Sequence, residues 1–207
     1  MQDLLLIRHA TTHLAGTLCG QLDPPLNEEG TKQAQNLALL LQGAPIRRLY
    51  ASDLQRSIQT ALYLGKVWRI PTHSRPDLRE ISFGDWEGRR WSDVRAANAE
   101  LSAMESSPEF SAPGGEAFSA FRSRVLRAFQ EILTDSGGQD TAIVAHLGVI
   151  RVIMSELFPA HPLWNPQQRM DYCTVFHIRR GPGCLDLLTA GAPANTTAFL
   201  QTESAQK

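Results

Sequence analysis

Two short apolar runs, each followed at once by a histidine, constrain the fold of this chain more than any other feature. Residues 4–7 are Leu-Leu-Leu-Ile and lead into Arg8 and His9. Residues 141–145 are Thr-Ala-Ile-Val-Ala and lead into His146. Short apolar runs of this kind are typical of buried strands, and ligands of open α/β sheets bind beyond the carboxyl ends of the strands. The sequence therefore predicts an α/β fold with a site at these two strand ends.

Helices and strands are predicted to alternate along the rest of the chain. Asn27 suits the N-cap of a helix that ends near Gly43, because apolar residues recur there at helical spacing. A strand is predicted at residues 47–51, and residues 52–53 are predicted to cap a second helix whose apolar side includes Leu62. The remaining predicted elements are a short strand at 68–72, a polar helix at 91–105, an amphipathic helix from 118 that ends at 137–138, a helix from 147 to 158, and a hairpin of strands at 174–179 and 184–188.

Size and composition indicate one globular domain. The chain has 207 residues, of which 43% are hydrophobic and 20% are charged, and its formal net charge is -1. We predict a single domain over residues 1–207, with a small, polar tail at 190–207 that frays. The near-neutral charge gives no general electrostatic case for binding nucleic acid or an anionic membrane. Any anion site must therefore be local.

Cysteine and histidine spacing indicate neither disulfides nor a metal site. The three cysteines, Cys19, Cys173 and Cys184, are an odd number without a CxxC motif, which suits reduced thiols in a cytoplasmic protein. His9 and His13 are four residues apart, but no HExxH pattern accompanies them. No apolar run approaches a membrane span, and the N-terminus lacks the basic start of a signal peptide. We therefore expect a cytoplasmic protein that binds no metal.

Two further polar residues complete a candidate site. Arg56 lies about one turn into the second predicted helix, where it either points back toward the strand ends or is an ordinary solvated arginine. Glu80 lies in segment 78–88, which mixes carboxylates with aromatic residues and is either a structural loop or the source of an acid catalyst. Together with the arginine and the two histidines of the strand ends, these residues predict a compact cationic pocket. Phosphate suits such a pocket because guanidinium groups match its oxygens.

Five short motifs follow one another along the chain. They are Leu-Ile-Arg-His at 6–9, Pro-Leu-Asn-Glu-Glu-Gly at 25–30, Ser-Asp-Leu-Gln-Arg at 52–56, Leu-Arg-Glu at 78–80 and Ala-His at 145–146. In this order and spacing they resemble the histidine phosphatase superfamily, which includes cofactor-dependent phosphoglycerate mutase. Within the superfamily, segment 78–88 and the short chain are most similar to the α-ribazole phosphatases of cobalamin nucleotide-loop assembly.

The resemblance implies both a fold and a mechanism. The fold would be a three-layer α/β/α sandwich with a mostly parallel central sheet, like that of phosphoglycerate mutase. His9 would attack the phosphorus and become a phosphohistidine. Arg8, Arg56 and His146 would bind the phosphoryl oxygens, and Glu80 would protonate the leaving group and then help to activate water. This chemistry requires no metal or other cofactor.

The resemblance also bears on the substrate. Gly20 and Gln21 of the first loop are candidates for contacting it, with a structural role as the alternative, and Leu147 is predicted to border it. Ala10 replaces the usual glycine after the first histidine, which bears on leaving-group preference. The expected partner is a small phosphate ester, first of all α-ribazole 5′-phosphate. A phosphatase of sugar phosphates or of broad specificity, a mutase and a non-catalytic binding protein are the alternatives, in that order. The chain is expected to be a monomer or a homodimer.

Overall fold

A six-stranded sheet forms the middle of the computed structural model, which describes residues 1–97, 109–161, 164–165 and 167–192. The strands are β1 (Gln2–Arg8), β2 (Arg48–Ser52), β3 (Thr72–Arg75), β4 (Thr141–Ala145), β5 (Val175–Gly181) and β6 (Cys184–Ala192). They lie side by side in the order β3-β2-β4-β1-β5-β6. β1 and β4, the two strands that precede the histidines, are therefore neighbours at the centre of the sheet.

Four neighbouring strands are parallel, and the other two form an antiparallel edge. β1 pairs parallel with β4, β4 with β2, and β2 with β3. β5 pairs antiparallel with both β1 and β6. The sheet is thus mostly parallel, as predicted, and the predicted hairpin forms its β5–β6 edge. Because β1 and β4 run in the same direction, their carboxyl ends open at the same side of the sheet.

Helices cover both faces of this sheet. They are α1 (Glu28–Leu41), α2 (Gln55–Trp68), α4 (Phe118–Asp135) and α5 (Leu147–Leu157), whereas α3 (Trp91–Ala97) packs in a separate small cluster. Leu5 and Ile7 of β1 belong to a buried cluster with residues of α1 and α2, whereas Leu4 and Leu6 belong to a cluster with residues of α4 and α5. Successive strand residues point to opposite faces. The fold is therefore the predicted three-layer α/β/α sandwich.

Burial on both faces explains the uninterrupted apolar sequence of the central strands. Leu4, Leu6 and Ile7 are 0% exposed, Leu5 is 2% exposed, and all five residues of β4 are buried. A parallel strand covered by helices on both sides has no polar face, so its sequence does not alternate. The polar residues of these strands lie at their ends, and Arg8 and the two histidines are at or directly after the carboxyl ends.

The predicted strand at 68–72 is wrong. α2 continues to Trp68, whose indole Nε1 donates a hydrogen bond to the carbonyl oxygen of Leu41 at 2.8 Å. Arg69 then adopts a left-handed conformation with φ of 58° and ends the helix. β3 begins only at Thr72. The contact of α2 with α1 extends a helix where the local sequence favours a strand.

The predicted cap of α2 is also wrong. Ser52 is the last residue of β2, and α2 begins at Gln55 without a side-chain cap. Asp53 instead accepts two hydrogen bonds from the guanidinium of Arg79, at 2.7 and 2.6 Å. A residue that suits a helix N-terminus is thus used in a long-range contact.

Leu62 was predicted on the apolar side of the same helix, but it is 57% exposed.

The remaining predicted boundaries agree in part with the structure. Asn27 caps α1 as predicted, since its side-chain oxygen accepts from the backbone N–H of Gly30 at 2.7 Å. α3 ends at Ala97, and the rest of the helix predicted at 91–105 lies outside the described residues. β6 extends into the segment that we predicted to fray, and residues 193–207 lie outside the described part of the chain. Across the ranges that the structure describes, no helix is long and apolar enough to cross a membrane.

Candidate active site

The pairing of β1 with β4 brings the two predicted histidines together. Arg8 is in register with Ala145, and the backbone N–H of His9 donates to the carbonyl oxygen of Ala145 at 3.0 Å. His146 follows Ala145 directly, so the two histidines leave the sheet side by side. Their ring centroids are 5.1 Å apart. One hydrogen-bond register therefore sets the spacing of the two imidazoles.

One pocket at this end of the sheet is bordered by all five residues that the sequence predicted as catalytic. These are Arg8, His9, Arg56, Glu80 and His146. The remaining wall combines small polar residues with apolar and aromatic ones: Thr12, Leu14, Thr17, Leu18, Cys19, Gly20, Phe83, Leu147 and Tyr172. Among the described residues, no group of three or more His, Cys, Asp or Glu side chains is arranged to hold a metal ion.

His9 has one ring nitrogen fixed and the other available. Its Nδ1 lies 2.7 Å from the carbonyl oxygen of Ala10. A carbonyl oxygen only accepts hydrogen bonds, so Nδ1 carries the proton and Nε2 of the neutral ring has a free electron pair. Burial, and then the charges of Arg56 and Arg8, hold the pKa of His9 well below its usual value of 6.5. The ring of His9 is thus neutral, with a proton on Nδ1 and none on Nε2.

The segment before β5 orients Arg8. One Nη1 hydrogen of Arg8 is donated to the carbonyl oxygen of Met170, and the guanidinium carbon lies 4.0 Å from the ring centroid of Tyr172. A guanidinium over an aromatic face is an attractive cation–π contact. The Nε atom of Arg8 is buried without a hydrogen-bond partner among the described residues. Arg8 therefore has a fixed orientation and an unused donor.

Arg56 is a buried arginine and not the solvated one of the alternative interpretation. It is 1% exposed, and it donates to the carbonyl oxygens of Leu22 at 2.6 Å and Gly20 at 2.7 Å. Gly20 is in the left-handed region, and a Cβ there would lie 2.2 Å from Oε1 of Glu87. Gly20 thus contributes a backbone carbonyl that orients Arg56. The Nε of Arg56 is also buried without a partner in the described part of the chain.

Glu80 is bound at the N-terminus of α5. Its Oε2 accepts from the backbone N–H of Gly148 at 3.0 Å, and its Oε1 accepts from the backbone N–H of Ile81 at 3.0 Å. A Cβ on Gly148 would lie 2.3 Å from Oε1 of Glu80. The absence of a side chain at Gly148 therefore allows the carboxylate to approach the helix end. Glu80 and His146 are thus positioned by the same junction between β4 and α5.

Two arginines fix the segment that carries Glu80. Arg79 forms the ion pair with Asp53 described above, and Arg124 of α4 donates to the carbonyl oxygens of Asp77 at 2.9 Å and Arg79 at 3.0 Å. Arg124 is itself paired with Glu116 at 2.7 Å. The segment on the N-terminal side of Glu80 is therefore attached to α4 and to the loop between β2 and α2.

Gln21 does not belong to the pocket wall, in contrast to Gly20 and Leu147. Its side-chain Nε2 donates to the backbone oxygen of Glu80 at 3.3 Å, and its backbone N–H donates to Oε1 of Glu87 at 2.9 Å. The same Glu87 oxygen accepts from the backbone N–H of Phe83 at 3.1 Å. Gln21 and Glu87 thus connect the first loop to the segment of Glu80.

His146 is fully buried and makes contacts that the sequence did not indicate. Its Nε2 lies 2.8 Å from Oγ of Ser52 and 3.4 Å from Oγ of Ser57, and its Nδ1 is buried without a partner among the described residues. Burial, and then Arg56, His9 and Arg8, hold the pKa of His146 well below its usual value of 6.5. Both histidines are therefore neutral beside two arginines.

Sequence reasoning missed Tyr172 and the serine contacts. Tyr172 lies in an irregular segment far along the chain from Arg8, and no periodicity or motif marks it. Ser52 is part of a predicted motif, but its position before a helix suggested a cap. A signal for Ser52 did exist, because it is a hydroxyl at the end of a strand that pairs with β4, next to the second histidine.

Comparisons with known proteins identify the family. A model of the histidine phosphatase superfamily (branch 1) matches residues 4–192 of this chain. The chain therefore belongs to the histidine phosphatase superfamily. The resemblance predicted from the five motifs is confirmed, and with it the class of enzyme, a phosphatase.

Individual relatives share both sequence and fold with this chain. It is 34% identical over 195 residues to the adenosylcobalamin/α-ribazole phosphatase of Salmonella typhimurium. The matched region covers 91% of this chain and 96% of the relative. The crystal structure of the α-ribazole phosphatase from Shigella flexneri is similar with a TM-score of 0.78 at 29% identity, over 93% of this chain and 97% of that chain. A metal-independent phosphoserine phosphatase of Arabidopsis thaliana is 30% identical over 210 residues, covering 96% of this chain and 86% of the relative.

The lowered pKa values of His9 and His146 predict an unusual titration. The usual pKa of a histidine is 6.5. In the folded protein the ring resonances of both histidines should not shift as the pH falls from about 8 to 6.5, because both rings stay neutral. The urea-unfolded protein gives the reference, in which the same histidines titrate near 6.5. Lowering the pH through 6.5 then protonates the unfolded chain first, so the free energy of unfolding falls. Half-protonation of either ring near pH 6.5 in the folded protein would contradict this assignment.

Proposed function

We propose that this chain is a phosphomonoesterase that hydrolyses α-ribazole 5′-phosphate through a phosphohistidine on His9. The observation that carries the proposal is a set of three buried nitrogen atoms around one pocket that have no hydrogen-bond partner among the described residues. These are Nε of Arg8, Nε of Arg56 and Nδ1 of His146. Buried donors are normally satisfied, and an unsatisfied one costs about 1–3 kcal/mol. A phosphoryl group supplies the missing acceptors.

His9 acts as the nucleophile. Its Nδ1 hydrogen bond to Ala10 leaves Nε2 unprotonated, and its low pKa keeps it so at neutral pH. Attack on phosphorus forms an N–P bond at Nε2 and breaks the bond to the ester oxygen. Water then attacks the same phosphorus and releases inorganic phosphate and free His9. Covalent catalysis of this kind replaces one difficult step with two easier ones.

Arg8, Arg56 and His146 bind the phosphoryl oxygens. The backbone carbonyls of Gly20 and Leu22 fix the guanidinium of Arg56, and the carbonyl of Met170 with the ring of Tyr172 fixes that of Arg8. Donors that are already oriented do not reorganise as charge develops in the transition state.

Glu80 supplies the proton for the leaving alkoxide. One hydrogen bond from Gly148 at the N-terminus of α5 and one from the neighbouring Ile81 fix the carboxyl group at the border of the pocket, where it would face a bound ester. After the leaving group departs, the resulting carboxylate is the base for the attacking water. One group therefore serves both half-reactions in opposite directions.

The walls of the pocket suit a leaving group that carries an aromatic base. Beyond the charged centre the lining includes five apolar or aromatic side chains, Leu14, Leu18, Phe83, Leu147 and Tyr172. These suit the flat aromatic base of α-ribazole better than the ammonium and carboxylate of serine. The relatives named α-ribazole phosphatases support the same substrate. Phosphoserine is the second candidate, because a phosphoserine phosphatase is also among the similar proteins.

We also infer a cytoplasmic location, which the unpaired state of Cys19, Cys173 and Cys184 supports. Burial raises the pKa of Cys173 to about 12, so this thiol is not poised to react. A monomer or a homodimer stays the predicted assembly.

The substrate assignment predicts a ranking of kcat/KM. α-Ribazole 5′-phosphate should exceed ribose 5-phosphate, O-phosphoserine and 3-phosphoglycerate by roughly 10- to 100-fold, since burying an aromatic group is worth about 1.5–3 kcal/mol. Ribose 5-phosphate is the matched control, because it has a phosphorylated ribose without the base. Equal values for the two ribose esters would contradict the assignment and indicate a phosphatase of broad specificity. A preference for O-phosphoserine would support the second candidate.

The position of Glu80 predicts a variant that separates leaving groups. Gly148→Ala places a Cβ against the Glu80 carboxylate and displaces it. Its kcat/KM for α-ribazole 5′-phosphate should fall about 100-fold, the cost of a displacement of roughly 1 Å. The loss for p-nitrophenyl phosphate should be much smaller, because nitrophenolate leaves without protonation.

Gly43→Ala is the matched control for this variant. Gly43 has ordinary backbone angles, and a Cβ there meets nothing within 4 Å. Its activity on both esters should equal that of the unmodified protein. Equal losses on both esters in Gly148→Ala would argue against Glu80 as the acid.

A further inference from the structure

The two ring nitrogens of His146 have contrasting surroundings. Nε2 faces the hydroxyl of Ser52 at 2.8 Å, with the hydroxyl of Ser57 farther away at 3.4 Å. Nδ1 is buried and has no hydrogen-bond partner among the described residues. His146, Ser52 and Ser57 are all 0% exposed. Water therefore does not compete freely for these contacts, and both serine hydroxyls are within hydrogen-bond distance of Nε2.

The surroundings of Ser52 indicate which partner donates. A hydroxyl has one hydrogen to give and two electron pairs to accept with. Oγ of Ser52 accepts from the backbone N–H of Leu54 at 3.4 Å, and its own hydrogen has one acceptor within reach in the described part of the chain. Nε2 of His146 is that acceptor at 2.8 Å. A neutral imidazole that accepts at Nε2 carries its proton on Nδ1.

The tautomer matters because His146 is neutral. A charged imidazolium would donate from both nitrogens whatever its neighbours, but burial and the nearby arginines lower the pKa of this ring. With the proton on Nδ1, the unpartnered nitrogen is a donor. With the proton on Nε2, an electron pair would face the same place and repel a phosphoryl oxygen. Only one of the two tautomers is compatible with binding an anion.

We propose that Ser52 is a positioning residue that holds neutral His146 in its Nδ1–H tautomer, so that Nδ1 donates to a phosphoryl oxygen. The nature of the acceptor rests on the proposed function, whereas the tautomer of the free protein does not. Ser52 acts through His146 and does not contact the substrate. The last residue of β2 thus sets the proton position on a histidine that follows the neighbouring β4.

The direct test is the tautomer of His146, from long-range ¹H–¹⁵N correlation spectra of the free protein near neutral pH. The signals of His146 are identified by their loss in His146→Gln. The unmodified protein should show the proton on Nδ1. Ser52→Ala should shift the ring toward the Nε2–H form, and Ser52→Thr, which keeps the hydroxyl, should restore Nδ1–H.

Binding of inorganic phosphate, measured by calorimetry, gives the second readout. Ser52→Ala should weaken it about tenfold, the equivalent of one hydrogen bond. Ser136→Ala is the matched control, because Ser136 is 1% exposed and hydrogen-bonded to Gln2 and Leu133, away from the pocket lining. Its tautomer and phosphate affinity should equal those of the unmodified protein.

The outcomes separate this proposal from the proposed function. An Nε2–H ring in the unmodified protein, or an unchanged Nδ1–H ring in Ser52→Ala, would overturn the role of Ser52. If the unmodified protein neither binds phosphate nor hydrolyses phosphate esters, the proposed function fails. The tautomer spectra of the free protein still decide the role of Ser52 in that case.

Discussion

The parallel pairing of β1 with β4 is the constraint on which the candidate site depends. It places two strands, buried on both faces, next to each other with their carboxyl ends at the same level. The first polar residues after those ends are the two histidines, and their ring spacing follows from the backbone register. A shift of one residue in this pairing would turn the side chains of one strand to the opposite face and separate the imidazoles. The two short apolar runs thus fix the geometry of the polar site.

A buried arginine, Arg56, and a half-buried one, Arg8, beside two neutral histidines give the pocket its chemical character. An isolated buried charge is costly unless it is paired. Arg56 and Arg8 receive partial compensation from backbone carbonyls and from the ring of Tyr172, while the Nε atom of each has no partner among the residues that the structure describes. The histidines avoid further positive charge by staying neutral. A phosphoryl dianion completes this arrangement, because it accepts from the unpaired donors and neutralises the guanidinium charges.

The parts of the site that could be predicted from the sequence are those encoded locally. A buried strand followed by a histidine is visible in the sequence itself, and so are the five motifs that identify the family. β3 was misplaced because Trp68 and Ile70 suggest a strand, whereas the hydrogen bond from Trp68 to Leu41 stabilises one more turn of helix. That contact joins two helices, so no window of local sequence contains it.

The partners that orient the catalytic groups lie beyond local prediction for the same reason. Ser52, Tyr172 and Glu87 each act on a residue more than 60 positions away. Their residue types are also ambiguous, since a serine before a helix suits a cap and a tyrosine in a loop suits packing. Gly20, a candidate for contacting the substrate, lines the pocket, and its carbonyl oxygen also accepts a hydrogen bond from Arg56, a contact that no local pattern indicates.

The most direct test of this account is to trap the phosphoenzyme. Rapid acid-free quenching with ³²P-labelled α-ribazole 5′-phosphate should give a protein-bound label that is labile to acid and stable to base, as expected of a phosphohistidine. The label should be retained in His13→Ala, which alters an exposed histidine four residues along the chain, and lost in His9→Ala. A label that persists in His9→Ala, or an active unmodified protein that never becomes labelled, would contradict the central claim that His9 receives the phosphoryl group.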